Sequence, residues 1–187
     1  EREIRRAIDS VLAQTFTNFE CVISDNASTD QTELICKEYE KIDKRITYIR
    51  KKENLGPLLN YLFLLERTNS DYFSWLSHDD YWEPSFLEKN VSILNSNKNV
   101  VGSIGLVEFY GVENFHTKKN LVYKIKNLIR RGSNRDYEKY EHVRPVSGSY
   151  EKKAETYLRF SEASFVYGIF RTEKLKKRMV SMGHAWD

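Results

Sequence analysis

The chain has 187 residues, 40% of them hydrophobic and 13% aromatic, with only 8 Gly and 3 Pro. That composition excludes a disordered or low-complexity chain and is enough for one globular domain, or one with an appendage. The net charge of +3 joins unlike parts, since residues 1–115 hold 13 Lys/Arg against 19 Asp/Glu and residues 116–187 hold 17 against 8. A basic part beside an acidic one points to an anionic partner: phosphate, nucleic acid or a membrane surface.

Helical spacing opens the chain, with Ile4, Ala7, Ile8, Val11 and Leu12 on one face. The first residues, EREIRRAIDS, are charged and helical and do not read as a leader peptide. Residues 19–24 (FECVIS) read as a strand ending at DNASTD. A helix over 30–42 follows, its start marked by an S-x-x-Q pattern of Ser28 and Gln31. Residues 46–50 (ITYIR) are the next strand. The turn NLG then leads into a helix reaching residue 67, with Pro57 in its first turn. Residues 71–77 (DYFSWLS) read as a strand, 84–97 as a helix with Phe86 or Leu87, Val91 and Leu94 inward, and 100–111 as a strand.

Strands alternating with helices predict an α/β fold with a mostly parallel sheet and helices on both faces. The chain opens on a helix where the alternation asks for a strand, so a natural N-terminal strand is expected to be missing. From about residue 111 the pattern weakens. Residues 118–135 are amphipathic and basic, 136–152 read as loop, 153–163 as helical, 164–172 as a strand and 172–183 as a short helix. The expected organisation is one domain: an α/β part over 1–110 and a second part over 111–187 carrying the basic insertion. No apolar run approaches the ~20 residues of a bilayer span. Cys21 and Cys36 form no CxxC and read as reduced thiols of a reducing compartment.

In open α/β sheets, ligands bind at the carboxyl ends of the strands. Asp25 follows one strand, and Asp79 and Asp80 follow another. Two adjacent carboxylates repel each other, and a hard divalent cation such as Mn²⁺ or Mg²⁺, shared with a diphosphate, offsets that repulsion. An Asp after a strand also serves as a turn former or helix cap, the expected role of Asp30. His78 reads as a hydrogen-bonding neighbour of the ligand or as a metal ligand.

The stretches AIDSVLAQTFTNFECVISDNASTDQTELICKEY, RITYIRKKENLGPLLNY and DYFSWLSHDDYWEPSFLEK resemble the inverting nucleotide-sugar glycosyltransferases of family 2. The resemblance runs over residues 2–105 and returns in SFVYGIFRTEKL, while 111–160 resembles nothing nameable. It implies the GT-A fold with an acceptor-side extension and a nucleoside-diphosphate sugar donor, UDP- or dTDP-linked. The sugar would pass with inversion to a hydroxyl of a glycan or lipid-linked acceptor, as in cell-surface polysaccharide synthesis. By the same resemblance Asp25, Asn26, Asn54, Gly56 and His78 are nucleotide-binding. Asp79 is the metal ligand of a DxD-type motif with Asp80 its partner, and Asp187 is the catalytic base. Family members usually carry another acid one or two residues before Asp79, where this chain has Ser77 and His78.

Residues 118–135 read either as a solvated helix packed on the core or as a peripheral contact with an anionic membrane, which suits a cytoplasmic enzyme with a lipid-linked acceptor. No recognition motif accompanies the charge, so nucleic acid is not an expected partner. Two other classes stay open: a nucleotide-sugar-binding protein without activity, and a nucleotidyltransferase.

Overall fold

The computed structural model describes residues 1–105, 107–108, 140–141 and 166–183. These fall into two units, Glu1–Ile104 with Phe165–Asp187, and Gly105–Ser164. The last strand and helix therefore group with the first hundred residues, not with the insertion between them. Of the second unit, one antiparallel pair is described, β5 (Val107–Glu108) with β6 (Tyr140–Glu141).

In the first unit, α1 (Ile4–Leu12) buries Ile4, Ala7, Ile8 and Val11, the face its spacing predicts. Of these, Ile4 and Ile8 join α2 (Thr32–Ile42) and β2 (Ile46–Arg50) in a core with Ile35, Cys36, Tyr39 and Ile46. Burying side chains of this size stabilises a fold by about 1.5–3 kcal/mol each. β1 (Cys21–Asp25) pairs with β2 in parallel, Cys21 opposite Ile46 and Asp25 opposite Arg50. Both cysteines are free, and burial pushes each thiol up to about 11.

The expected capping pattern at Ser28 and Gln31 does not form. The N–H of Ser28 is already taken by Asp25. Asp30 does the work instead, its Oδ1 accepting the N–H of Thr32 at 3.0 Å and the Thr32 hydroxyl at 2.6 Å.

A second core gathers around α4 (Phe86–Ser96), where Leu87, Val91 and Leu94 meet Ile169. Here the strands are shorter than their sequences predict. β3 is Tyr72–Phe73, β4 is Gly102–Ser103 and β7 is Ile169–Arg171. β7 lies between β3 and β4 and runs antiparallel to both, so β3 and β4 share a direction. Among the described strands, parallel pairing is confined to β1 and β2. Beyond Phe73, which pairs with Phe170, the Ser74 hydroxyl bonds the Gly168 carbonyl at 2.9 Å in place of a ladder. A Cβ at Gly102 would stand 2.5 Å from Cδ1 of Phe170, so any larger residue there would force that ring to shift. The remaining described helices are α3 (Pro57–Arg67) and α5 (Thr172–Gly183). No described helix is long and apolar enough to cross a membrane.

Candidate functional site

β1 ends at Asp25, whose side chain is 0% exposed. Its Oδ1 accepts the N–H of Ser28 at 2.8 Å, its Oδ2 accepts the Tyr48 hydroxyl at 2.6 Å, and Nε of Arg50 stands 3.7 Å from Oδ2. Burial works against charge on this carboxylate. The bonds from Tyr48 and Ser28, with the Arg50 guanidinium, outweigh it and hold Asp25 below its usual pKa. Burial and the Asp25 charge push the Tyr48 phenol well above its own. Arg50 also donates to the Ser28 carbonyl at 2.7 Å and pairs with Glu33 at 3.1 Å. The chain reverses tightly here: Ala27 lies in the left-handed region at φ 64°, a strained conformation for a residue with a Cβ. Asp25 thus shapes the loop after β1. A nucleotide base reaches its carboxylate only if this loop or Tyr48 gives way.

Asn26 turns to the loop before α3. Its Nδ2 donates to Asn54 Oδ1 at 2.7 Å and to the Gly56 carbonyl at 3.1 Å, and its Oδ1 accepts the Leu55 N–H at 3.0 Å. Asn54 Oδ1 also accepts the Gly56 N–H at 2.9 Å. Gly56 is the N-cap of α3 at φ 82° and ψ 166°, a region open essentially to glycine alone. Asp25, Asn26, Asn54 and Gly56 are therefore gathered at one place.

The Asp79–Asp80 turn stands past the end of β3, closed by the Asp80 N–H on the Ser77 carbonyl at 3.2 Å. Asp79 is 62% exposed, and its Oδ1 lies 3.8 Å from Nδ1 of His78, itself 68% exposed. Asp80 is half-buried, and burial followed by the Asp79 charge pushes its pKa up. Among the described residues, no hydrogen bond reaches either carboxylate, and no three His, Cys, Asp or Glu residues gather to hold a metal. Two adjacent carboxylates of this kind would suit a hard divalent cation, which takes oxygen ligands. Asp187 lies outside the described residues, as does 118–135.

Helix α3 joins the two clusters. Asn60, near its start, accepts the Ser24 hydroxyl at 2.5 Å and donates to the Ser24 carbonyl at 3.0 Å. One residue on, the Tyr61 and Ser77 hydroxyls stand 2.9 Å apart, and the Tyr61 carbonyl accepts Trp75 Nε1–H at 3.1 Å. Neither Asn60 nor Tyr61 is singled out by the sequence reading. Their only signal is two polar groups in consecutive positions within the apolar stretch of the helix.

The chain matches glycosyl transferase family 2 over residues 1–176 and belongs to that family. S. aureus TarS, solved over residues 1–349 with UDP-GlcNAc, superposes with a TM-score of 0.65 at 17% identity over 95% of this chain and 44% of that one. That likeness is one of fold, and the architecture is the α/β GT-A type. An uncharacterized glycosyltransferase of Rickettsia typhi is 36% identical over 66% of this chain and 36% of its own length. A putative teichuronic acid biosynthesis glycosyltransferase of Bacillus subtilis, TuaG, is 37% identical over 49% of this chain and 36% of its own. This chain thus spans about a third of the length of those relatives.

Proposed function

We propose that this chain forms the donor-binding part of a glycosyltransferase that transfers a sugar, with inversion, from a nucleoside-diphosphate sugar to a hydroxyl of a glycan or lipid-linked acceptor. The observation that carries this reading is the bridge made by α3 between the Asn26–Asn54–Gly56 cluster and the turn bearing Asp79 and Asp80. It supports reading the first cluster as a nucleoside cradle and the second as a cation-holding carboxylate pair, since α/β sheets bind ligands at strand ends. UDP and UDP-GlcNAc in the TarS structures favour a uridine donor, and the name of TuaG favours a cell-surface polysaccharide.

In this reading Asp25 orders the first loop, Asn26 and Asn54 hold it against Gly56, and the bare Gly56 backbone lets the nucleoside approach. His78, exposed beside Asp79, donates to the diphosphate. Asp79 and Asp80 would hold Mn²⁺ or Mg²⁺, which would supply Lewis-acid neutralisation of charge on the leaving diphosphate. Asp187 takes the proton of the acceptor hydroxyl as that oxygen attacks the anomeric carbon. The site faces the cytoplasm, and the basic segment 118–135 supports contact with an anionic membrane carrying the acceptor.

Calorimetric titration with UDP, dTDP and GDP, each with and without Mn²⁺, tests the reading. Binding of one nucleotide that Mn²⁺ strengthens, and that Asp79→Asn makes indifferent to Mn²⁺, is the expected outcome. Binding of none of the three overturns it.

A further inference from the structure

The end of α1 is fastened to the segment that leaves the Asp79–Asp80 turn by a side chain with no place in the donor-site reading. Gln14 is 4% exposed. Its Nε2 donates to the Ser10 carbonyl at 3.0 Å and to the Glu83 carbonyl at 2.8 Å, while its Oε1 accepts the Leu87 N–H at 2.9 Å. Its neighbours repeat the pattern. Ser10 Oγ accepts the Trp82 N–H at 3.1 Å, and the Thr15 N–H donates to the Pro84 carbonyl at 2.9 Å. Residues 81–83 lie in no helix or strand. Backbone groups of Trp82, Glu83, Pro84 and Leu87 thus find, on Ser10 of α1 and on Gln14 and Thr15 just beyond it, the partners that buried peptide groups require.

The turn is consequently held on both sides: by Tyr61 on Ser77 before it, and by Gln14 and Ser10 after it. Between these anchors the two carboxylates receive no hydrogen bond from described residues. Their placement depends on the backbone of the turn, and so on what fixes its ends. The fastening is selective. A buried amide using two donors and one acceptor is reproduced neither by an apolar side chain nor by a carboxylate.

We propose that Gln14 is a positioning residue for Asp79 and Asp80: by holding residues 82–87 against α1, it sets where the two carboxylates stand and how well they share a divalent cation with a diphosphate. This rests on the donor-site reading above. Misplacing a functional group by about 1 Å can cost on the order of 10²-fold, so the effect is measurable.

The test compares wild type with Gln14→Met, similar in volume but without the amide, and Gln14→Glu, which keeps the acceptor and loses both donors. Hydrogen exchange is followed by mass spectrometry over residues 77–87 and 21–36, and UDP affinity is measured with and without Mn²⁺. Exchange over 77–87 is expected to quicken about tenfold or more in Gln14→Met, with 21–36 unchanged. UDP affinity without metal stays within about twofold, and the gain from Mn²⁺ shrinks about tenfold, in line with the cost of misplacement. Gln14→Glu falls between. Equal quickening in both segments means general loosening and overturns the proposal, as does an unchanged gain from Mn²⁺ or wild-type UDP binding that ignores Mn²⁺. Should Gln14→Met not fold, Ser10→Ala, which removes the acceptor for Trp82 and a local bond to the Ala7 carbonyl, takes its place. Wild-type protein that binds no UDP under either condition refutes the donor-site reading, and the exchange contrast alone then decides whether Gln14 holds the turn.

Discussion

Replacing Asn26 by Ala removes three hydrogen bonds in one step: those to Asn54, to the Gly56 carbonyl and from the Leu55 N–H. A hydrogen bond contributes a net of about 0.5–1.5 kcal/mol, and this loop is partly open to water, so the sum falls at about 1.5–3 kcal/mol. In a domain of this size that lowers Tm by about 3–10 °C. The loops after β1 and before α3 also lose their tie, and each backbone residue they must reorder on binding costs about 1–2 kcal/mol. UDP affinity should therefore fall by at least about tenfold. Urea unfolding followed by the three tryptophans, with calorimetry for UDP, measures both. Asn54→Ala completes a double-mutant cycle, because the two side chains share the 2.7 Å bond. The double variant should lose about 0.5–1 kcal/mol less than the sum of the singles. A loss under about 0.5 kcal/mol for Asn26→Ala, or strict additivity in the cycle, would refute the claim that these bonds hold the two loops together.

Gly56→Ala meets no atom within 4 Å of the new Cβ, so its cost is backbone strain alone. A loss of about 1–3 kcal/mol is expected by chemical denaturation, and a neutral variant would show that the positive φ of Gly56 carries no constraint. Asp80→Asn should raise Tm at neutral pH by about 1–3 °C while weakening Mn²⁺-supported UDP binding. Burial, then the charge of Asp79, raise the Asp80 pKa above the ~3.9 of an unfolded chain. Between those two values the native state holds more protons than the unfolded one, so stability falls as pH rises through that window. The advantage of the variant should therefore vanish on acidification below the unfolded value. A Tm gain that persists unchanged in acid, or no gain at pH 7, refutes this assignment.

Much of this follows from local pattern. The buried face of α1, the strand ending at Asp25 and the helix begun by Pro57 are written in hydrophobic spacing and in residues whose geometry is fixed nearby. Asp25, Asn26, Asn54 and Gly56 are brought together because each sits in a loop next to a well-marked strand or helix. What escapes is set at long range. The lengths of β3 and β4 depend on β7, and nothing in DYFSWLS reveals that its partner is only three residues long. Ser28 has the spacing of a cap, yet Asp25 takes its N–H because a buried carboxylate needs donors more than a helix end needs a second acceptor. Gln14 stands where the helix pattern ends, and only the segment 69 residues away that it bonds gives its amide a meaning.

The position of β7 between β3 and β4 also orders events in time. β1 and β2 meet across a single intervening helix, so the Asp25 loop can form soon after those residues leave the ribosome. The strand leading to Asp79 and Asp80 waits for Arg171, 99 residues beyond Tyr72. At ordinary synthesis rates that is about 5–20 s. Contacts so distant in sequence also slow the search for the native state. The nascent chain therefore completes its nucleoside side before its carboxylate side, and substitutions in β7 should lower the yield of folded protein far more than their distance from the loops suggests.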